Sequence, residues 1–143
     1  MIVDYVGNYE PYHGSKQAAG YDLKAFLDKP VQIHPGNYAE IRTGVRAQPP
    51  AGYVGLLFIR SGLSKRRLRL TTGVSVIDAD YTGDIICCIC NDSDETQTIY
   101  NGDRIAQIVY VKCADVIWNR VDALKETERG SEASDQQESN HGK

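Results

Sequence analysis

A chain of 143 residues is long enough for one domain with a real core, and 41% hydrophobic with 24% charged residues is the balance of an ordinary globular protein. The net charge of -3 excludes the strong positive excess of a general nucleic-acid binder, yet leaves room for a small anionic ligand wherever basic residues concentrate. No apolar run approaches the ~18 residues of a membrane span, and Met1-Ile2-Val3-Asp4 lacks the basic-then-apolar order of a signal peptide. The expectation is an intracellular protein, cytoplasmic or nuclear, with neither membrane nor nucleic acid among its partners.

In chain order, residues 1 to 6 predict a first strand with Val3, Tyr5 and Ile2 packing, and Gly7 to Gln17 an extended connection broken by Pro11 and two glycines. Gly20 to Phe26 alternates weakly and predicts a short strand. Val31 to Ile33 and Tyr38 to Val45 predict two more, with turns at Asp28-Lys29-Pro30 and Pro35-Gly36. Gln48 to Gly52 breaks the chain. Tyr53 to Ile59 is so continuously apolar that burial on both faces is expected, in a sandwich or at a subunit contact. Ser61 to Arg66 predicts one helical turn, and Leu68 to Leu70 resumes extended chain.

Gly73 to Ile85 predicts a β-hairpin with a polar tip, where Asp78 and Asp80 face the same way if the chain stays extended. Ile85 to Cys90, Glu95 to Tyr100 and Arg104 to Val111 predict strands, and Trp118 to Leu124 a closing strand or turn. Many short strands, Gly and Pro turns and no long helical period predict an all-β, jelly-roll-like sandwich over residues 1-124. Residues 125-143 are polar and predict a flexible C-terminal tail, with Ala133 the single apolar residue after Leu124.

Candidate chemistry concentrates at few places. Arg60-Ser61-Gly62 directly follows the apolar strand and combines a guanidinium fork, a hydroxyl and a permissive backbone, which suits phosphate oxygens. Lys65, Arg66, Arg67 and Arg69 add local positive charge. Gln107, on the expected face of Ile105, needs partners if buried, and a ligand is one candidate. Asp22 interrupts a modest strand and is either a surface acid or an outer carboxylate for Mg2+. Cys87, Cys88, Cys90 and Cys113 lack metal-ligand spacing and predict buried free thiols. His13 and His34 show no evident partners and His141 falls in the tail. No Gly-x-Ser-x-Gly setting, zinc-deaminase signature or Walker-type loop is present.

Four segments, in order, resemble the motifs of the trimeric dUTP pyrophosphatase (dUTPase) family. They are Ala19-Gly20-Tyr21-Asp22-Leu23-Lys24-Ala25, Arg60-Ser61-Gly62-Leu63, Val76-Ile77-Asp78-Ala79-Asp80-Tyr81-Thr82-Gly83-Asp84-Ile85 and Gly102-Asp103-Arg104-Ile105-Ala106-Gln107. The resemblance spans about Gln17 to Gly130. It implies a jelly-roll or β-clip subunit in a three-fold homotrimer with shared sites, splitting dUTP into dUMP and pyrophosphate with Mg2+. By resemblance, backbone groups of Thr72, Gly73, Val74, Ser75 and Val76 read the uracil, and Tyr81 packs under the deoxyribose. Asp78 orients and activates the attacking water. Arg60, Ser61, Gly62 and Gln107 hold the phosphates, and Asp22 supports Mg2+ through water. The fifth motif begins correctly at Thr127-Glu128-Arg129-Gly130, so that Arg129 carries over, but the family's aromatic residue is absent after it. Ser75 stands where the family has glycine. A non-catalytic relative acting through a regulatory protein partner, and a dCTP deaminase-like enzyme, are the alternative readings.

Overall fold

The computed structural model describes residues 1–132. Eleven strands and one short helix are present among them: β1 (Asp4–Val6), β2 (Tyr21–Lys24), β3 (Val31–Ile33), β4 (Tyr38–Arg42), β5 (Arg46–Gln48), β6 (Tyr53–Ile59), α1 (Ser61–Lys65), β7 (Leu68–Leu70), β8 (Ser75–Ile77), β9 (Ile86–Asn91), β10 (Gln97–Ile99) and β11 (Arg104–Lys112). A four-stranded sheet in the order β2-β11-β6-β8 faces a three-stranded sheet β4-β9-β7, and the pairs β1-β5 and β3-β10 complete the sandwich. Every recorded pairing is antiparallel. The all-β, jelly-roll-like expectation is met.

The core forms where the inward residues of the two sheets meet. Leu23, Leu57, Ile105 and Ile108 come from the first sheet, and Ile41, Leu68, Leu70, Cys87 and Ile89 from the second, all buried. Polar groups within this interior are satisfied. The Tyr9 hydroxyl donates to Thr43 O at 2.8 Å and accepts the Lys24 N–H at 2.9 Å, tying the N-terminal segment to β2 and to the chain just past β4. Asn91, fully buried, donates from Nδ2 to Ile33 O at 2.8 Å and Glu95 O at 2.7 Å, while its Oδ1 accepts from Ser93 N–H and hydroxyl.

Several sequence expectations are corrected. Ile2 is 80% exposed and β1 lies on the surface, because its partner is the short edge strand β5 rather than the core. The strand expected to Val45 ends at Arg42. Gly44 takes φ +68, and a Cβ there would stand 2.9 Å from Phe26 Cγ, so the close approach of Phe26 and the left-handed turn both require glycine. In β6 only Gly55 and Leu57 are buried, so burial of both faces is not completed within one chain. The expected hairpin is not one: β8 pairs with β6 and β9 pairs with β4 and β7, so residues 78–85 cross between sheets. Trp118 to Leu124 forms no strand, and Ile117 and Trp118 are more than nine-tenths exposed. Within the expected tail, Thr127 to Gly130 forms a turn, and residues 133–143 lie outside the described residues.

Of the four thiols only Cys87 is buried; Cys88 and Cys90 are half-buried and Cys113 is exposed. Burial, with a contribution from the Asp84 charge, pushes Cys87 up to about 12 from 9.0. Burial likewise raises the Tyr9 and Tyr110 hydroxyls. Each group keeps its proton in the folded protein at a pH where the unfolded chain has lost it. Their stabilising contribution is therefore complete below about pH 9 and is lost as pH rises through that range. The melting temperature is expected to fall steadily above about pH 9, and to fall less steeply in Cys87→Ala. Equal alkaline slopes in the two proteins would refute the assignment to Cys87.

Candidate active site

Two groups of candidate residues sit on the four-stranded sheet, at opposite edges and opposite ends. The first surrounds the crossing from β8 to β9. Asp78 directly follows β8, and its carbonyl accepts the Tyr81 N–H at 3.1 Å, closing a turn. The extended geometry that would align Asp78 with Asp80 is therefore absent: Asp78 lines a cavity of about 250 Å³ together with Ser75, Val76, Ile77, Tyr81, Asp84 and Ile86, while Asp80 is outside its lining. The Tyr81 hydroxyl donates to Asp84 O at 2.7 Å. Gly83 permits this fold-back, since a Cβ there would meet the Tyr81 hydroxyl at 2.7 Å.

Residues outside the motifs hold the crossing in place, and sequence reasoning did not single them out. Arg42 Nε meets Asp84 Oδ2 at 2.7 Å, and Arg46 Nε donates to Thr82 O at 2.7 Å. The buried Thr43 hydroxyl donates to Ile85 O at 2.6 Å. The polar residues flanking Gly44 were the available signal, but their partners lie some 40 residues away in sequence and no local pattern reveals them.

The loop from β7 into β8 carries Thr72, Gly73 and Val74. Gly73 takes φ +73, which only glycine adopts freely, and its N–H bonds Leu70 O at 2.9 Å. The Thr72 and Ser75 hydroxyls are 2.7 Å apart and bonded, spanning this bend. Val74 and Val76 are exposed. The backbone of this loop is thereby set by one glycine, one turn bond and one hydroxyl pair.

The second group centres on Asp22 in the edge strand β2. Its half-buried carboxylate lies 3.3 Å from Arg60 Nη1 and 3.8 Å from Arg104 Nη1. Arg104 in turn lies over the Tyr12 ring at 4.5 Å, and Tyr12 and Asp22 exchange two main-chain hydrogen bonds. Arg60 N–H donates to Ile105 O at 3.1 Å, which fixes the entry to α1. Gly62 is the second residue of α1 rather than a left-handed turn, and the first-turn N–H groups of Ser61 and Gly62 precede the intrahelical pattern with no side-chain cap. The neighbouring basic run divides. Arg66 bonds Gln97 Oε1 and Thr98 O, and Arg69 pairs with Asp92 at 2.7 Å, so neither points to this group.

Gln107 is not on the face of Ile105. The pairing of β11 with β2 shifts register between Arg104 and Ala106, a β-bulge that sends both Ile105 and Ala106 into the core and turns Gln107 outward, opposite Asp22. Its amide is half-buried and open rather than orphaned. It rests against Gly20, where a Cβ would stand 2.6 Å from Gln107 Oε1. Arg129 lies exposed in the Thr127–Gly130 turn. His13 and His34 have structural partners: His13 stacks on Tyr21 and meets Ala18 O at 2.7 Å, and His34 meets the Thr96 hydroxyl at 3.0 Å.

Register fixes how far apart the two groups are. Ile77 is opposite Gly55 and Arg60 follows the far end of β6, so strand rise places Asp78 and Arg60 roughly 15–20 Å apart. No cluster of three or more metal-ligating side chains occurs among the described residues. Asp22, already between two arginines, fits an ion that arrives with phosphate and keeps its own waters rather than a resident one.

Known proteins are similar to this chain in sequence and fold. The dUTPase family model matches residues 10–136. A deoxyuridine 5'-triphosphate nucleotidohydrolase from Desulfitobacterium hafniense is 42% identical over 122 residues, covering 84% of this chain and 81% of that protein. One of the same name from Wolbachia pipientis is 37% identical, covering 83% and 80%. Among solved structures, a mutant dUTPase of Staphylococcus bacteriophage 80alpha with dUpNHpp superposes with a TM-score of 0.82 at 27% identity, covering 92% of this chain and 95% of that one. The Streptococcus mutans dUTPase gives 0.71 at 30% identity, covering 81% and 98%. On sequence and fold together, this chain belongs to the dUTPase family.

Proposed function

We propose that the protein hydrolyses dUTP to dUMP and pyrophosphate by attack of water on the α-phosphorus. The observation that carries this reading is Asp78 beside the Tyr81 ring in the cavity at the sheet crossing, in a chain of this family. Main-chain groups of Thr72 to Val76, held by Gly73 and the Thr72–Ser75 pair, read the uracil edge. An amino group at the base's 4-position would leave a buried polar mismatch there, which discriminates strongly. The Tyr81 ring packs against the deoxyribose and leaves no space for a 2′-hydroxyl. Asp78 accepts a proton from the attacking water while that water's oxygen bonds the α-phosphorus and pyrophosphate departs.

Arg60, the Ser61 hydroxyl, the free N–H groups at Ser61 and Gly62, and the outward amide of Gln107 receive the phosphate oxygens. Arg129 reaches the terminal phosphate from the C-terminal segment. Asp22 would hold a Mg2+ ion arriving with the triphosphate through that ion's water shell, and the ion would supply positive charge against the departing pyrophosphate. The separation between Asp78 and Arg60 supports a homotrimer in which one subunit's cavity works with another's Asp22–Arg60–Gln107 group. The half-buried outer face of β6 supports the same contact.

The test is pyrophosphate release from each deoxynucleoside triphosphate with Mg2+. Release from dUTP alone is expected. No release above background would refute hydrolysis and leave the non-catalytic reading, and ammonia from dCTP would establish the deaminase reading.

A further inference from the structure

Arg60 is offered to phosphate by the reading above, yet in the free chain it is engaged: its guanidinium stands 3.3 Å from the Asp22 carboxylate. Only 15% of that side chain is exposed. If Arg60 turned to a phosphate, Asp22 would be left a largely covered carboxylate without a counter-ion, which is strongly unfavourable. A second cation is in place. Arg104 reaches the same oxygen, Asp22 Oδ2, at 3.8 Å, and is held there by stacking on Tyr12 at 4.5 Å. Tyr12 is itself bonded to Asp22 through two main-chain hydrogen bonds of 3.1 and 2.8 Å. The plate, the reserve cation and the carboxylate are thus one connected unit, with Arg60 at its open end.

We infer that Arg104 is a positioning residue that lets Arg60 change partners. When phosphate arrives, Arg60 leaves Asp22 and Arg104 closes on the vacated carboxylate oxygen, so that no charge is stranded. Arg104 touches neither the phosphate nor the reacting atoms; it acts through Asp22. Without it, Arg60 stays with Asp22 and the phosphate chain is bound less well. The inference rests on the reading that Arg60 takes phosphate, and does not depend on which base is attached.

The distinguishing experiment is a double-mutant cycle read by calorimetry in metal-free buffer, using non-hydrolysable α,β-imido-dUTP and, separately, inorganic triphosphate. Arg104→Gln is expected to weaken both by about tenfold, and Tyr12→Leu to weaken both in the same direction. Tyr12→Phe retains the ring and is expected to bind as the parent does. Arg104→Gln/Asp22→Asn is expected to regain most of the lost affinity, because the carboxylate that detains Arg60 is gone. In turnover with dUTP and Mg2+, Arg104→Gln raises KM with little change in kcat. Unchanged affinity in Arg104→Gln overturns the inference. So does a double variant as weak as the single one, which would mean that Arg104 contacts phosphate itself or only supports the fold. Binding of triphosphate but not of the nucleotide analogue by the parent chain would refute the dUTP reading while leaving the cycle interpretable. Binding of neither would refute both.

Discussion

Asp78→Asn is expected to lower kcat for dUTP by about a thousandfold while leaving the affinity for α,β-imido-dUTP within a few fold. The amide has the carboxylate's shape and still hydrogen-bonds a water, but it cannot take the proton as the oxygen attacks phosphorus. Asp80→Asn is the matched control. It makes the same chemical change two residues away, and Asp80 lies outside the cavity that Asp78 lines, so near-parental turnover is expected. Single-turnover rates and calorimetry separate the two effects. Comparable rates in Asp78→Asn and the parent would remove Asp78 from the chemistry, and equal losses in both variants would point to disturbance of the crossing.

The second large effect concerns stability. Asn91→Ala is expected to destabilise the protein by about 3 kcal/mol or more, with a fall in melting temperature of roughly 10 °C. Asn91 is fully buried and its amide serves four partners, joining β3, the end of β9 and the loop toward β10. Removing it takes the side-chain donor from the Ile33 carbonyl and the acceptor from the Ser93 N–H, leaves Glu95 O with the Ser93 hydroxyl alone, and an alanine supplies nothing in return. Asn91→Asp keeps the acceptor for Ser93 but loses both donors and adds a buried charge, so it is expected to be no better. Denaturant titration checks this, and a loss below about 1 kcal/mol would show that water replaces the amide.

Strands β6 and β11 were legible almost to the residue, because seven or more apolar-rich residues between clear turn signals admit few other structures. The four motif segments also announced their residues, and Asp78 and Tyr81 do share a cavity. What the sequence concealed was pairing over distance. A run that turns at Asp78-Ala79-Asp80-Tyr81 between two apolar stretches has the pattern of a hairpin, yet the partner of β8 is β6, some twenty residues earlier. The outward turn of Gln107 was hidden for a related reason: alternation assumes one residue per pleat, and one extra residue at Ile105 reverses every face after it. Arg104 is the first residue of β11, and its placement on Tyr12 and Asp22 follows from tertiary contact alone.

That extra residue gives β11 two parities along one strand. Upstream of it the chain answers to the turn at Gly102-Asp103; downstream it answers to β6, with which it pairs continuously from Ala106 to Lys112. Deleting Ile105 would mend the ladder and invert the strand's reading frame relative to its turn, driving the amide of Gln107 inward or dragging Arg104 off its aromatic plate. Evolution or design therefore cannot change the strand's length here by one without dismantling the site it borders.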